Sequence, residues 1–314
     1  QELTGLDGSN PLGFLAAIGV LRWLASGPEP QARLSFRDGS WTAVLHDAPP
    51  VQDWAPRAAD DANASTTRPH LAFSYTKKEA KTEAKKDAKT EAKKNGEVHD
   101  LKPPPDVFRQ WLLGLRSEED MDAMSFALAY AAERGLDAST GKVIKPTALH
   151  FTAGQQQFLG SVQEIAASVT TEDILEALHG PWRYGRAVKS LSWDATSSRN
   201  YALRATDPSK EKRLGNPGAD WFAFLALPLF PVVSKGTQAL TTCAAGSWKR
   251  GWFRWPLWSV PASLETISDL VLLPDLERWS ARERLLRGVS VVFRSDIGRS
   301  DQGGYGSFGP ARIA

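Results

Sequence analysis

Residues 3–27, LTGLDGSNPLGFLAAIGVLRWLASG, decide how the chain is organised. Gly5, Asp7, Gly8 and Ser9 read as a loop, and Asn10 followed by Pro11 reads as a helix start. A side-chain oxygen at the N-cap serves backbone amides that the first turn leaves without partners. Proline at the first helical position gives up no donor that the helix needs. Leu12, Leu15, Ala16, Gly19 and Trp23 recur at helical spacing, with Ile18, Val20 and Leu21 widening the apolar face. Ser26-Gly27-Pro28 ends the helix. Small side chains at Ala16, Ala17 and Gly19 let another backbone come close. The simpler reading is a buried scaffold helix. The alternative is a loop–helix that offers its amides to a phosphate. Against the alternative, the stretch has neither the Lys-Ser/Thr pair of a P-loop nor a GxGxxG pattern.

The rest of the composition narrows the classes. With 314 residues, 42% of them hydrophobic, the chain can build two domains or one large one around a sizeable core. The net charge is only +2, so nucleic-acid binding has to come from local patches. The single cysteine, Cys243, excludes an internal disulfide framework and a cysteine-rich zinc site, and fits a reducing cytoplasm. No apolar run reaches membrane-spanning length, and the N-terminus lacks the basic region of a signal peptide. Four of the 12 tryptophans fall between residues 248 and 258, a concentration that favours cores and partner contacts.

Along the chain, 33–46 alternates around Asp38-Gly39 and predicts a β-hairpin. Residues 47–70 read as a polar surface connection, with a short strand near 71–73. The segment 77–94 is low complexity: AKTEAKKD is followed at once by AKTEAKKN, with eight lysines against four acids. It cannot bury enough surface to join a core. It reads as a surface insertion, or as a lysine arm touching a nucleic-acid backbone. Helices are expected over 107–116 (capped by Asp106), 118–134, 155–169 and 174–178, with 141–151 extended. The apolar run 221–233, broken by Pro228 and Pro231, predicts a helix end and a strand. Residues 248–258 predict a hairpin, 264–273 a helix or strand, 282–287 a short helix, 288–294 a strand, and 295–308 a loop. The fold class is therefore α+β. Residues 1–76 and 96–185 form a helix-plus-hairpin and helical N-terminal region, 77–95 an insertion, and 186–314 a Trp/Arg-rich mixed region.

Standard catalytic templates are absent. The five histidines are scattered, without metal-ligand spacing, and Cys243 lies in a run of small residues. There is no GxSxG, no P-loop and no carboxylate pair of defined spacing. No cofactor, no metal and no catalytic residue is expected. Basic–aromatic patches are the stronger signal. WRYGRAVK at 182–189 interleaves Arg183, Arg186 and Lys189 with aromatics, and Arg199 follows. KRGWFRW at 249–255 repeats the theme with Lys249, Arg250 and Arg254, and Arg294 and Arg299 flank the end of the best strand. Cations neutralise phosphates while aromatics stack on bases. In the alternative reading, the aromatics are core and the cations snorkel to solvent.

Several phrases together carry a resemblance: LDGSNPLGFLAAIGVLRWL (6–24), FTAGQQQFL (151–159), SLSWDATSSRNYALRATDPS (190–209), ALPLFP (226–231), WPLW (255–258) and GVSVVFRSD (288–296). The pattern resembles large-subunit-type proteins of type I CRISPR Cascade, in the type I-G (formerly I-U) neighbourhood. It covers nearly the whole chain outside the lysine insertion. The resemblance implies a non-catalytic subunit of a crRNA-guided DNA surveillance complex. Such a subunit sits near the crRNA 5′ end, reads the protospacer-adjacent motif on double-stranded DNA, and helps recruit a helicase–nuclease. Its implied partners are crRNA, target DNA, other Cascade subunits and that nuclease, with no membrane. Guide pairing reads the sequence while protein reads a short duplex motif and backbones. This chain is shorter than many large subunits and closes on a strand and loop rather than a helical bundle. The candidate nucleic-acid residues come from the local pattern instead: Ser9, Asn10, Arg183, Arg186, Lys189, Arg199, Lys249, Arg250, Arg254, Arg294 and Arg299. The runner-up is a nuclease or nucleic-acid-processing enzyme of the same defence pathway.

Overall fold

The computed structural model describes residues 1–76, 96–138, 140–152, 156–195, 214–247, 250–274, 276–299 and 305–314. Its first element corrects the sequence reading. Residues expected to form a loop make strand β1 (Glu2–Asp7), because Leu3 and Leu6 are buried. Helix α1 (Pro11–Ala25) then starts as expected. Asn10 Oδ1 accepts the Leu12 amide at 3.2 Å, and Ser26 closes the C-terminus. This helix is buried on nearly every side and is the centre of the fold. Strands β2 (Arg33–Phe36) and β3 (Thr42–His46) form the predicted hairpin, with Gly39 at φ +86° in the turn. They join β1 in a three-stranded antiparallel sheet of order β1-β3-β2, with a bulge between Leu3 and Asp7.

The supposed surface connection is helix α2 (Val51–Ala64). Val51, Trp54, Ala55, Ala58 and Ala62 fall on one buried face, a helical pattern that Pro56 and the acidic residues had disguised. Residues expected as a short strand form the helical turn α3 (Pro69–Ala72). Strands β4 (Tyr75–Thr76) and β5 (Glu97–Val98) pair antiparallel, so the two ends of the low-complexity segment meet. That segment itself lies outside the described residues. Replacing residues 77–95 with a short Gly/Ser turn should leave the melting temperature unchanged or slightly raised, because shortening a loop lowers its closure cost by only about 1 kcal/mol. A large drop would show that the segment belongs to the core.

Helices α4 (Pro105–Ser117) and α5 (Met121–Tyr130) follow. Asp106 lies in the first turn of α4 and does not cap it, whereas Asp120 caps α5 through the Ala123 amide. The helix expected to run to residue 134 stops early. Ala131 turns extended and starts β6 (Ala131–Leu136), which pairs with β7 (Ile144–Pro146). Helices α6 (Phe158–Ser168) and α7 (Thr171–His179) come next, the latter opened by a capping box between Thr170 and Asp173. Helix α8 (Pro217–Leu225) packs across α1 at Gly19, where a Cβ would overlap the Phe222 carbonyl.

The second half supplies a hairpin, β8 (Val232–Lys235) with β9 (Gln238–Thr241), and a five-stranded sheet. In that sheet β10 (Ala244–Gly246) pairs with β11 (Gly251–Leu257); the hairpin expected within 248–258 is instead this single strand, because its partner lies upstream of residue 248. Residues 264–273 resolve as helix α9 (Leu264–Leu272), followed by α10 (Ala281–Leu286). Strand β12 (Val291–Arg299) continues past Arg294 into the segment expected to be a loop, as far as Arg299. It is flanked by β13 (Gly306–Phe308) and β14 (Arg312–Ile313). Ser295 and Ile297 keep the buried alternation, which is why the strand continues.

The α+β class is as expected. One core runs from Leu3 to Phe308, through residues on both sides of position 186. Buried tryptophans join its halves. Trp255 Nε1 donates to the Gly8 carbonyl at 2.8 Å, and Trp258 Nε1 to that of Leu34 at 2.7 Å.

Candidate nucleic-acid interface

Strand alternation splits the tryptophan-rich stretch between two faces. Phe253, Trp255 and Leu257 of β11 point into the core. Trp252 and Arg254 take the opposite face. Register places Arg254 opposite Arg294 on β12, Trp252 opposite Asp296, and Arg312 of β14 opposite Arg294. Directly opposed residues share a face. The outer face therefore carries a row of arginines at 254, 294 and 312 across three strands, with Trp252 beside it.

The geometry holds that row in place. The Arg294 and Arg254 guanidiniums lie 4.7 and 5.6 Å from the Trp252 ring centroid. Arg312 grips Asp296 through two hydrogen bonds of 2.9 and 3.1 Å. Arg294 lies 3.7 Å from Asp296 and 3.8 Å from Glu277. The Arg312 hydrogen bond holds the Asp296 carboxyl below the usual carboxylate range. The Arg294 and Arg312 guanidiniums thus meet carboxylates, and those of Arg254 and Arg294 both lie against the Trp252 ring. Such a surface meets a phosphate backbone with cations and a base with a ring. Arg250 is exposed in the turn that leads into β11. Lys249, its neighbour, lies outside the described residues.

The other predicted residues go elsewhere. Arg299 turns inward: its guanidinium donates to the carbonyls of His150 at 3.0 Å and Ala148 at 3.1 Å, and burial draws its pKa down to about 10. It clamps the chain around residues 148–150. The expected loop location had suggested solvent, but the strand carries Arg299 under cover. Arg186 pairs with Asp173 and donates to the Ser168 carbonyl at 3.2 Å. Arg183 is exposed and lies 3.9 Å from Glu176, and Lys189 is exposed. Arg199 lies outside the described residues. Asn10 and Ser9 serve the scaffold. Asn10 Nδ2 donates to Asp194 at 2.9 Å, and the Ser9 amide donates to the Asp7 carboxylate at 2.8 Å. The Gly8 and Asn10 amides are likewise taken, by the carbonyls of Trp41 and Asp7. The amides of Gly8, Ser9 and Asn10 are thus already committed, which argues against the phosphate-cradle reading of this loop.

Arg312 was missed by the sequence reading, since only β-register brings it beside Arg294. Asp220 was missed as well. It is fully buried in α8, accepts the Leu191 amide at 3.2 Å, and burial pushes its pKa to about 7. Its folded pKa lies above its unfolded one, so its contribution is favourable below about pH 4 and lost as pH rises through 7. Asp220→Asn should flatten that decline and raise stability at pH 8, by an amount of order 4 kcal/mol at most. Chemical denaturation of both proteins from pH 4 to 8 checks it. Parallel pH profiles would contradict the assignment.

Cys243 donates its thiol to the Val271 carbonyl at 3.1 Å, and burial pushes its pKa to about 12, which suits an inert thiol. Among the described residues, no three His, Cys, Asp or Glu side chains gather as a metal site requires, and no helix is long and apolar enough to cross a membrane. A scan against protein-family models and a search of curated proteins both returned no match to this chain.

Proposed function

We propose that the chain is a non-catalytic, cytoplasmic subunit of a Cascade-like crRNA-guided DNA surveillance complex. It binds crRNA and target double-stranded DNA near the protospacer-adjacent motif, contacts other Cascade subunits, and helps recruit a helicase–nuclease. The sequence phrases that resemble type I large subunits motivate this reading. The observation that carries it is the row of Arg254, Arg294 and Arg312 beside Trp252 on the outer sheet face. Backbone contact by such a row is independent of sequence and sensitive to salt.

The test is fluorescence anisotropy of labelled duplex DNA and short RNA with the pure chain across a salt series, with and without Mg²⁺. The expected result is retention that weakens steeply with salt, and intact nucleic acid after incubation. Metal-dependent cleavage would favour the runner-up nuclease. Partner-protein binding indifferent to both salt and nuclease treatment, with no nucleic-acid binding, would leave only a protein scaffold.

A further inference from the structure

A second site lies away from the sheet face. Between α7 and α8 the chain crosses the surface as an extended strap over residues 183–190. Tyr184, Arg186, Val188 and Ser190 face inward and Arg183, Gly185, Ala187 and Lys189 outward. Tyr184 and Ser192 take left-handed backbone angles, φ +50° and +62°, where the strap bends. Under it is a half-open cavity of about 230 Å³. Leu12 of α1, Leu214 and Tyr184 give it apolar and aromatic walls, and Asn216 lies against it at the start of α8. At about 30 Å³ per water the space is too large for one solvent molecule, and it falls below the roughly 300 Å³ at which drug-sized pockets begin. It suits one flat ring.

The polar groups around it are arranged for a ligand. Asn216 is 2% exposed, and its Oδ1 caps α8 by accepting the Ala219 amide at 3.0 Å. That bond fixes which way the carboxamide points, and leaves the buried Nδ2 without an acceptor. One turn further along α8 lies Asp220, fully buried. Its Oδ1 accepts the Leu191 amide, and the Ser190 hydroxyl, which also lines the cavity, hydrogen-bonds to the carboxylate. Gly215 lines the cavity, and a Cβ there would sit 3.3 Å from Asp220 Oδ2, so the acid stands directly behind the glycine. Asp194 is anchored by Asn10 Nδ2 at 2.9 Å and by the Tyr184 hydroxyl at 2.6 Å, which ties the strap to α1. An unpaired donor therefore borders the cavity, whose lining also holds the Asp194 carboxylate and the Ser190 hydroxyl. Buried polar atoms are nearly always paired, so the orphaned Asn216 Nδ2 at this cavity marks a missing partner.

We propose that this cavity binds a single unstacked nucleobase, with guanine the best match. Guanine O6 accepts from Asn216 Nδ2, and the adjoining N1–H and N2–H₂ donate toward the acid side. Adenine places an amino donor where O6 would be and fits less well. The outward Arg183 and Lys189 hold the flanking phosphates. Extruding a base into a fitted pocket and reading its edge is an established way for proteins to inspect one nucleotide. The inference deepens the nucleic-acid reading above and rests on it.

The test uses nine-unit phosphodiesters of stable abasic residues, with or without one central guanine, binding to the pure chain at low salt. The central nucleotide is made in both ribose and deoxyribose forms. The guanine-bearing strand should bind at least tenfold tighter than the abasic one, and central adenine should gain less. A gain confined to the ribose form points to guide RNA, and one confined to the deoxyribose form to the DNA target. Asn216→Ser retains a capping oxygen. It should remove most of the gain while leaving abasic binding and the melting temperature nearly unchanged. Equal binding of both strands overturns the base pocket and leaves the backbone reading standing. Failure to bind either strand overturns both.

Discussion

Gly19→Val should leave little folded protein, and Gly19→Ala should lower stability by about 3 kcal/mol or more. Overfilling a core typically costs about 1–3 kcal/mol when side chains can move aside. Here the obstacle is the carbonyl oxygen of Phe222, part of the backbone of α8, and it cannot rotate away. The two helices must separate, and α1 is the element around which the core closes. A domain whose total stability is about 5–15 kcal/mol has little margin for that. Gly114→Ala is the matched control. Gly114 lies within α4 with nothing within 4 Å of its Cβ position, so the substitution should stabilise by about 0.5–1 kcal/mol. Thermal melts of the three variants and the parent check the pair. Equal effects at positions 19 and 114 would show that α1 and α8 are not in close contact.

The second large effect concerns the sheet face. Arg254→Ala combined with Arg294→Ala should weaken duplex binding by about tenfold or more. The slope of log affinity against log salt should flatten by about 2, one for each lost phosphate contact. Both positions lie on the outer face, and the core beneath is formed by Phe253, Trp255 and Phe293, so the fold should persist. Arg299→Ala distinguishes a cation that meets phosphate from one that holds the fold. Its guanidinium is committed to two carbonyls, so the variant should melt lower while its salt slope stays that of the parent. If the double variant keeps the full salt slope, the arginine row does not touch nucleic acid.

Local chemistry made parts of this architecture legible. Asn10-Pro11 marked the start of α1, Asp38-Gly39 the first hairpin, and the Val/Phe-rich run at 288–294 the core of β12. What failed was context. Residues 51–64 carry only Val51, Trp54 and alanines on their apolar face, so their helix gains its stability from burial that composition does not advertise. Glycines 5 and 8 suggested a loop, yet Gly5 lets β1 lie close against the α7 backbone, near Ala177 and Gly180. Of the eleven proposed contact residues, the structure sets Arg254 and Arg294 side by side, with Arg250 in the turn before β11. Strand register does this, and no reading of one segment at a time shows it. Arg312 and Asp220 escaped for the same reason: neither sits in a motif, and each acquires its setting only from residues far along the chain.

The most direct measurement is affinity capture of the tagged chain from its own host, followed by extraction and sizing of the bound RNA. The account predicts one discrete short RNA species with several co-purifying proteins, lost together when Arg254 and Arg294 are replaced by alanine. Capture of the folded chain without RNA and without partners would contradict it.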